Sequence, residues 1–321
     1  FKGEKFDETY NINVSQNYAN QINSKILKQD DLDFILSFDA SLIAYIKTKI
    51  PIIFWTDLLY SDYYKHYFKK EKIYKQTKNS IKVIEKRAVS KSKYIFLSSS
   101  WAINKAKKNY FREKNKFRLM RFGPNFKKKY TKSFIKTKII SKQNKVLRLI
   151  TLSVDWKRKG VNNLVKLKEI IKNKKINVEI LVVGSKNQQL VNYDKDIKII
   201  NFIDKNRAYG EKKISNLLFK SHFHILFSNA EAYGISLIEA NMHGLPNITF
   251  STGAINELIK NNKNGKKFNH KVNLDIIANY LIKLFKNKKK YKNLCNSSYD
   301  EFINKYSNDK IISDFKNNLV N

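Results

Sequence analysis

The chain has 321 residues, a length that is typical of two domains. Its hydrophobic content of 42%, with 18 Tyr and 21 Phe, argues against wholesale disorder, and its single cysteine excludes a disulfide framework or a cysteine-rich metal site. The formal net charge of +37 suggests nucleic acid, a membrane surface or an acidic substrate as a partner.

The basic residues are mostly lysine, since only seven of the 64 are Arg. A protein that reads nucleic acid usually relies on Arg for bidentate contacts with bases and phosphates. We therefore expect no nucleic-acid partner and attribute much of the excess charge to AT-rich codon usage. No apolar run approaches the roughly 20 residues of a membrane span, and the cysteine content fits a reducing compartment, so we expect a cytoplasmic protein.

The first half of the chain contains three apolar runs that predict strands: Phe34–Ser37, Pro51–Trp55 and Tyr94–Leu97. Residues 65–93 are expected to be helical, because apolar and small side chains recur there at spacings of three and four. Nothing before Phe34 supplies the strand, glycine-rich turn and helix with which such a domain usually begins. We therefore expect that roughly 50 residues are missing at the N-terminus.

A connection between domains is expected in the stretch from Arg121 to Ser141, which contains Gly123-Pro124 and then becomes Lys-rich without a clear period. The predicted organisation is a first domain at 1–125, a linker at 126–141 and a second domain at 142–302. A C-terminal helix at about 303–321 is expected to pack back on the first domain.

The second half of the chain alternates strand-like apolar runs with segments of helical spacing, which predicts a parallel sheet. The predicted strands are Val146–Leu152, Val178–Val183, Ile197–Phe202, Phe223–Phe227 and Asn247–Phe250.

The window from Ser221 to Ile259 contains no Lys or Arg, although lysine is abundant elsewhere. Burial of one strand–helix–strand unit explains part of this gap, because buried segments exclude lysine. The window nevertheless keeps Glu231 and Glu239, eight residues apart. Its three histidines lack the spacing of metal ligands, so we expect structural roles for them and no metal site.

The segment from Glu231 to Glu239 suits phosphate binding. A strand is expected to end before Glu231, Gly234 permits a tight turn, and a helix follows. The free N–H groups of Gly234, Ile235 and Ser236 then lie at the carboxyl end of a parallel strand, where open α/β sheets bind phosphate. Glu239 lies one turn into the helix, where its carboxylate suits a ribose diol, and Glu231 lies towards a sugar.

A second phosphate-binding element is predicted from Ser153 to Gly160, directly after the strand Val146–Leu152. Lys159 or Arg158 could stabilise a leaving diphosphate from this turn. The alternative interpretation is a solvated cluster of basic residues, of which the chain has many.

These residues resemble the retaining glycosyltransferases of family 4, which have the GT-B fold. The resemblance rests first on Glu231-x7-Glu239 with Tyr233-Gly234 and the following run Glu-Ala-Asn-Met-His-Gly-Leu-Pro. Further matching segments occur in the family's order: Pro51–Asp57, Ser99–Ala102, Phe122–Asn125, Asp155–Gly160, Phe202–Lys205 and Asn264-Gly265.

The resemblance implies two Rossmann-like domains whose parallel sheets face a central cleft, the first domain being truncated here. It implies transfer of a sugar, with retention and without metal or other cofactor, from a nucleotide-diphosphate-sugar donor to a glycan or lipid-linked acceptor of the cell envelope. The catalytic residues carried over are Glu231 towards the donor sugar, Lys159 on the diphosphate and Asp57 in the first domain. Asp57 could equally be a cap after its strand.

The donor-binding residues implied by the resemblance surround the helix start and the neighbouring strand ends. Many members have an Arg where this chain has Ser153, so Lys159 and Arg158 are expected to carry more of the phosphate binding. Recognition of the base is expected from backbone groups near Ile203. The donor-binding set is Ser153, Arg158, Lys159, Gly184, Ile203, Tyr233, Gly234, Ile235, Ser236 and Glu239.

Two alternatives stay open from the sequence: a non-catalytic basic binder of nucleic acid or anionic lipid, and a truncated transferase that binds nucleotide without turnover. The charge itself is uneven, since residues 65–121 carry 19 basic and 3 acidic residues. Four lysines in that part, at 72, 75, 82 and 86, are expected to lie largely opposite the apolar stripe of the same predicted helix. They predict peripheral contact with an anionic membrane.

Overall fold

The computed structural model describes residues 4–5, 7–26, 29, 31–68, 72–142, 145–184 and 196–320. The chain divides into two compact units. Unit 1 is Phe1–Phe122 with Asp314–Asn321, and unit 2 is Gly123–Ser313. None of the described helices combines the length and the apolar character that a transmembrane span requires.

Unit 1 is an α/β unit built on parallel strands. Its described strands are β1 Glu4–Lys5, β2 Ile35–Ser37, β3 Ile52–Thr56, β4 Lys72–Ile73, β5 Tyr94–Leu97 and β6 Phe117–Leu119. Its described helices are α1 Ile12–Ile26, α2 Ala40–Ile43, α3 Tyr60–Tyr67, α4 Lys75–Lys91 and α5 Ser100–Asn109. Strands β2, β3, β5 and β6 form one parallel sheet in the order β2-β3-β5-β6, and β1 pairs with β4 outside it.

The structure corrects two expectations in unit 1. A single helix over 65–93 is wrong: α3 ends at Tyr67, β4 intervenes, and α4 begins at Lys75. The helical spacing of buried Thr77, Ile81, Ile84 and Ala88 belongs to α4 alone. Strand β1 and helix α1 precede Phe34, where we expected neither, although β1 lies outside the four-stranded sheet.

Trp55, on the buried strand β3, organises the aromatic core of unit 1. Its ring stacks on Phe122 at a centroid distance of 5.0 Å and on Phe315 at 5.8 Å. Its indole N–H donates to the carbonyl of Met120 at 3.0 Å. The pairing of a large apolar ring with a satisfied N–H is how a buried Trp usually contributes to stability. These contacts fix the chain just before it enters unit 2.

Unit 2 contains a six-stranded parallel sheet. Its described strands are β7 Leu147–Leu152, β8 Val178–Val183, β9 Ile197–Ile200, β10 Phe223–Leu226, β11 Asn247–Phe250 and β12 Gly265–Phe268. Its described helices are α6 Lys132–Ile140, α7 Val161–Asn173, α8 Ala208–Lys220, α9 Ile235–Met242, α10 Ile255–Leu258, α11 Leu274–Lys286 and α12 Lys288–Lys305.

The strand order in unit 2 is β12-β11-β10-β7-β8-β9, and every pairing is parallel. The carboxyl ends of β7, β8 and β10 therefore meet at one edge of the sheet, and the candidate site lies there. The five strands predicted in this half are present to within two residues at each end. Strand β12 was missed because its sequence, Gly-Lys-Lys-Phe, has two lysines between its ends.

The stretch 126–141, predicted to be a linker without a clear period, contains helix α6. Its N-cap Thr131 accepts a hydrogen bond from the N–H of Phe134, and Ile135 and Ile139 are buried one turn apart. A Cβ on Gly244 would lie 2.9 Å from Ile135, so the close packing of this helix requires glycine there. A periodicity carried by two residues was too short to detect in a Lys-rich run.

The C-terminal region contains two helices where we expected one from about residue 303. Helix α12 ends at Lys305, and α13 is Asn308–Val320. The residues of α13 up to Ser313 belong to unit 2 and those from Asp314 belong to unit 1. Within unit 1, Phe315 packs edge-on against Phe96 at 5.8 Å.

Candidate active site

The stretch without Lys or Arg is deeply buried. From Ser221 to Phe250 every residue is buried except Asn229, Ile235 and Ser236. Burial thus explains most of the missing lysines. The three exceptions lie in the loop after β10 and in the first two residues of α9. Two of the three accessible residues, Ile235 and Ser236, belong to the predicted phosphate-binding turn.

Helix α9 begins in the manner that the sequence predicted. Gly234 is its N-cap and has a left-handed backbone with φ of 102° and ψ of 55°, a conformation that favours glycine. No side chain caps the helix, so the first amides remain available as donors. Ser236 Oγ is buried and has no hydrogen-bond partner among the described residues. The helix start can therefore donate several hydrogen bonds to a bound anion.

Glu231 is 7% exposed and is held by three donors on one carboxylate oxygen. Lys159 Nζ lies 2.6 Å from Glu231 Oε2. Ser228 Oγ donates to the same oxygen at 3.2 Å, and Arg158 Nη1 lies 3.5 Å from it. A nearly buried carboxylate needs such compensation. The two sequence elements that were predicted separately, the basic turn and the Glu231 loop, therefore meet in one charged cluster.

The basic turn is fixed by local hydrogen bonds and by one glycine. The Asp155 carboxylate accepts from the Arg158 backbone N–H at 3.0 Å and from its Nε at 3.3 Å. Gly160, the N-cap of α7, has φ of 69°, and a Cβ there would lie 2.1 Å from the carbonyl oxygen of Phe227. The turn thus packs directly on the chain that leads to Glu231, so both loops are positioned together.

Glu239 forms a second, separate charged pair. It is 2% exposed, and Oε1 accepts from Lys205 Nζ and from the backbone N–H of Asn125, the latter at 3.2 Å. Burial raises the pKa of Glu239, and Lys205 and the Asn125 N–H oppose that rise. Lys205 follows β9, so this pair joins the β9 loop to helix α9.

The remaining predicted donor-site residues lie at the neighbouring strand ends of unit 2. Ser153 follows β7, is 1% exposed and donates its N–H to the carbonyl of Val183 at 2.7 Å. Gly184 follows β8 with φ of 99°, and a Cβ on it would lie 3.5 Å from the Ser153 carbonyl carbon. Ile203 is half-buried in the β9 loop, and Tyr233 is buried beside Gly234.

Asp57 belongs to unit 1 and lies directly after β3. It is half-buried, and its backbone carbonyl accepts from Ser98 Oγ at 3.2 Å. The predicted site residues therefore divide into one residue of unit 1 and a connected group in unit 2.

The histidines of the buried window have structural partners. His224 Nδ1 is 2.7 Å from Asn247 Oδ1, and His243 Nδ1 and Nε2 are 2.7 Å from the Glu239 carbonyl oxygen and 3.1 Å from Ser215 Oγ. Burial lowers the pKa of both His224 and His243 to about 4. Over the described residues, no group of three or more His, Cys, Asp or Glu side chains is arranged to hold a metal ion.

Three further residues contact the two glutamates without having been predicted from the sequence: Ser228, Lys205 and Asn125, the last through its backbone. Lys205 and Asn125 lie in segments that match the family, but no pattern assigned them a contact. Ser228 carried no signal, because a serine at a strand end has many structural uses.

Comparison with known proteins identifies the family. Residues 131–301, more than half of the chain, match the family described as glycosyl transferases group 1. No curated protein matches the chain significantly.

Solved structures share the fold over 91–98% of this chain. A sucrose-phosphate synthase from Thermosynechococcus elongatus has a TM-score of 0.73 at 12% identity, over 98% of this chain and 80% of that one. Anabaena HepE, solved with UDP and glucose, has a TM-score of 0.69 at 14% identity, over 94% and 80%. WaaG, a glycosyltransferase involved in lipopolysaccharide biosynthesis, has a TM-score of 0.65 at 16% identity, over 91% and 80%.

At these identities the structural likeness establishes the fold, and the family match establishes the class of reaction. Three observations lead to the same assignment: two parallel α/β sheets, a helix with a glycine N-cap beside the Lys159–Glu231 pair, and the family match over residues 131–301. The chain belongs to the glycosyl transferases group 1 family and is a GT-B glycosyltransferase that transfers a sugar from a nucleotide-sugar donor.

Proposed function

We propose that this protein is a retaining glycosyltransferase whose donor is a nucleotide-diphosphate sugar and whose acceptor is a glycan or a lipid-linked glycan. The observation that carries the proposal is the Lys159–Glu231 pair, with 2.6 Å between Nζ and Oε2, beside the start of α9, where no side chain caps the helix. A cation for the leaving diphosphate and a carboxylate for the sugar are thereby held side by side.

The diphosphate is assigned to the amides of Gly234, Ile235 and Ser236, with Ser236 Oγ as a further donor. Lys159 and Arg158 supply positive charge from the turn after β7. Charge that develops on the leaving oxygen in the transition state is stabilised best by donors that are already fixed in position, and Lys159 meets that condition through its contact with Glu231.

The ribose is assigned to Glu239, whose carboxylate is oriented by Lys205 and the Asn125 N–H. Ser153, Gly184 and Tyr233 border the same sheet edge, and backbone groups near Ile203 are assigned to the base. HepE, which shares the fold, binds UDP and glucose. That precedent makes UDP the first nucleotide to test here.

In the chemical step, Glu231 is proposed to contact the donor sugar and Lys159 to neutralise the departing diphosphate. Asp57 is the proposed catalytic residue of unit 1. We propose that no metal ion is required, because lysine, arginine and helix amides supply the positive potential that a metal gives elsewhere. Unchanged turnover in excess EDTA is the expected result, and full rescue by added Mg²⁺ after chelation would contradict it.

A role in cell-envelope polysaccharide synthesis, in the cytoplasm beside the membrane, is the proposed setting. WaaG offers a precedent for a lipopolysaccharide role in this fold. Lys72 lies in β4 and not in the helix predicted to carry it, whereas Lys75, Lys82 and Lys86 lie in α4; all four are exposed. They are proposed to contact anionic lipid. Charge reversal of all four is expected to weaken binding to phosphatidylglycerol vesicles, and equal binding by the variant would remove the membrane part.

The decisive test of the function is sugar transfer by Glu231→Ala and Lys159→Ala. Radiolabelled UDP-, GDP- and ADP-sugars are supplied with a glycan extract as acceptor. Both variants should lose activity by about 10²-fold or more, the scale of a lost transition-state contact. Lys157→Ala is the matched control, because Lys157 lies in the same turn, is exposed and has no ion pair among the described residues. Full activity in both test variants would overturn the assignment.

A further inference from the structure

A cavity of about 570 Å³ lies in unit 2 between helices α6 and α8. Its size is within the range of small-molecule sites. Five lysines line it: Lys127, Lys128, Lys138, Lys205 and Lys212. None of the residues that we assigned to the diphosphate or to the sugar lines it. It is therefore separate from the donor site except at Lys205.

The cavity carries an excess of positive charge, because five lysines and one carboxylate, Glu211, are among the described residues that line it. Across the described residues, Lys127, Lys128, Lys138 and Lys212 form no ion pair, whereas the nearby Lys129 and Lys132 pair with Asp309 and Asp300. Like charges that are gathered without counter-ions raise the local potential and attract anions.

Among the described residues that line the cavity there is one carboxylate, and it already accepts hydrogen bonds. Glu211, which is 8% exposed, accepts from the backbone N–H of Lys127 at 3.0 Å and of Lys128 at 2.8 Å. Glu211 therefore holds the segment that contains Lys127 and Lys128 against α8. Its carboxylate accepts from two backbone amides and pairs with neither ammonium group, so both lysine side chains stay available to a ligand.

An aromatic wall completes the cavity. Tyr130 and Phe134 stack at 5.2 Å with an angle of 11° between their rings, and Phe219 meets Tyr130 edge-on at 5.1 Å. Phe134 is 38% exposed. Lys138 lies over its ring at 5.2 Å. A ligand in this position meets cations and an apolar, planar surface together.

We propose that this cavity binds a phosphorylated small ligand in which a planar or apolar group adjoins the phosphate. Phosphate suits the cavity because lysines act on it as point charges from several directions, while the rings contact the rest of the ligand. The ligand source is either a free metabolite or the head group of a lipid.

The cavity and the proposed ribose site share Lys205, which lines the first and pairs with Glu239 in the second. Resting on the proposed function, the ligand competes with Glu239 for this cation. Occupation of the cavity is then expected to change the KM for the donor more than kcat. The binding itself does not depend on catalysis, so its test is independent of the transferase assignment.

The test is calorimetric titration of the full chain with phenyl phosphate and with inorganic phosphate. We expect phenyl phosphate to bind more tightly, and Lys128→Glu/Lys212→Glu to weaken it at least about tenfold. Lys286→Glu/Lys289→Glu is the matched control, since both lysines are exposed in unit 2 away from the cavity and the net charge is the same. Circular dichroism and the melting temperature verify that each variant is folded.

Two further arms make the result specific. Lys159→Ala should leave phenyl phosphate binding unchanged, because Lys159 belongs to the donor site, and Phe134→Ala should abolish the preference over inorganic phosphate. Sedimentation with phosphatidylglycerol vesicles identifies a lipid source if the cavity variant loses binding and the control does not. Equal losses in the cavity and control variants, or loss only in Lys159→Ala, would overturn the proposal.

Discussion

Lys159 Nζ lies 2.6 Å from Glu231 Oε2, although the two residues are 72 positions apart in the chain. Their side chains are 13% and 9% exposed. A salt bridge with so little solvent contributes less to net stability than its distance suggests, because both ions lose hydration. The salt bridge instead holds a cation and a carboxylate at a fixed separation next to the start of α9.

Breaking this pair from one side should cost more stability than removing both charges. Lys159→Met leaves Glu231 nearly buried without its closest cation, and we expect a loss of about 1–3 kcal/mol in the free energy of unfolding. In Lys159→Met/Glu231→Gln the loss should be smaller than the sum of the two single losses. Urea denaturation of the four proteins measures the coupling. Strict additivity would show that the two side chains do not interact.

Ser228 should act as a positioning residue for Glu231. Ser228 lies in the loop after β10, and its hydroxyl donates to Glu231 Oε2 over a distance of 3.2 Å. Ser228→Ala removes one of three donors and lets the carboxylate turn, so kcat should fall about tenfold while the KM for the donor changes little. Ser228→Thr should restore most of the activity because it keeps the hydroxyl. If Ser228→Ala keeps its activity while Ser228→Thr loses it, packing rather than the hydrogen bond explains why this residue is a serine.

The sequence was sufficient to predict the site's elements but not the contacts between them. Strand ends, Gly160 and Gly234 are local signals, because each tight turn needs a particular backbone conformation. The contacts of Glu231 with Lys159 and of Glu239 with Lys205 join segments that lie far apart in the chain. Such pairings depend on strand order, which no local pattern specifies.

The errors in the fold have the same physical origin. Helix α6 and strand β12 were missed because lysine-rich surfaces mask the short apolar pattern beneath them. Only Ile135 and Ile139 of α6 are buried, and β12 is buried only at Gly265 and Phe268. Tertiary packing against Gly244 and β11, rather than local propensity, stabilises these elements.

Gly160 should not tolerate a side chain. Its φ of 69° is unfavourable for other residues, and a Cβ would lie 2.1 Å from the Phe227 carbonyl oxygen. Gly160→Ala should therefore destabilise unit 2 by about 1–3 kcal/mol and lower kcat by displacing Lys159. Differential scanning calorimetry and the transfer assay measure the two effects. Lys157→Ala, at an exposed position of the same turn, serves as the control substitution, and a wild-type melting temperature for Gly160→Ala would refute the strain.

Lys205 should control the pH dependence of donor binding through Glu239. Burial raises the pKa of Glu239 and Lys205 opposes the rise, so Lys205→Met should raise it further. The ionised carboxylate is the form proposed to bind ribose. Donor affinity is therefore lost as pH falls through this pKa, and the loss should begin at higher pH in the variant. Isothermal titration with the nucleotide from pH 5 to 8 measures the shift. If the variant began to lose donor affinity at the same pH as the wild type, or at a lower pH, the pairing of Lys205 with Glu239 would be contradicted.

His224 should reduce stability in mild acid. Burial lowers its pKa from 6.5 to about 4, so between these values the unfolded chain takes up a proton that the folded protein does not. The stabilising contribution is complete above pH 6.5 and declines by roughly 3 kcal/mol as pH falls to 4. His224→Gln should show a shallower decline in urea denaturation over this range, while the exposed His270→Gln should follow the wild type. Parallel curves for His224→Gln and the wild type would mean that the folded protein protonates His224 without penalty.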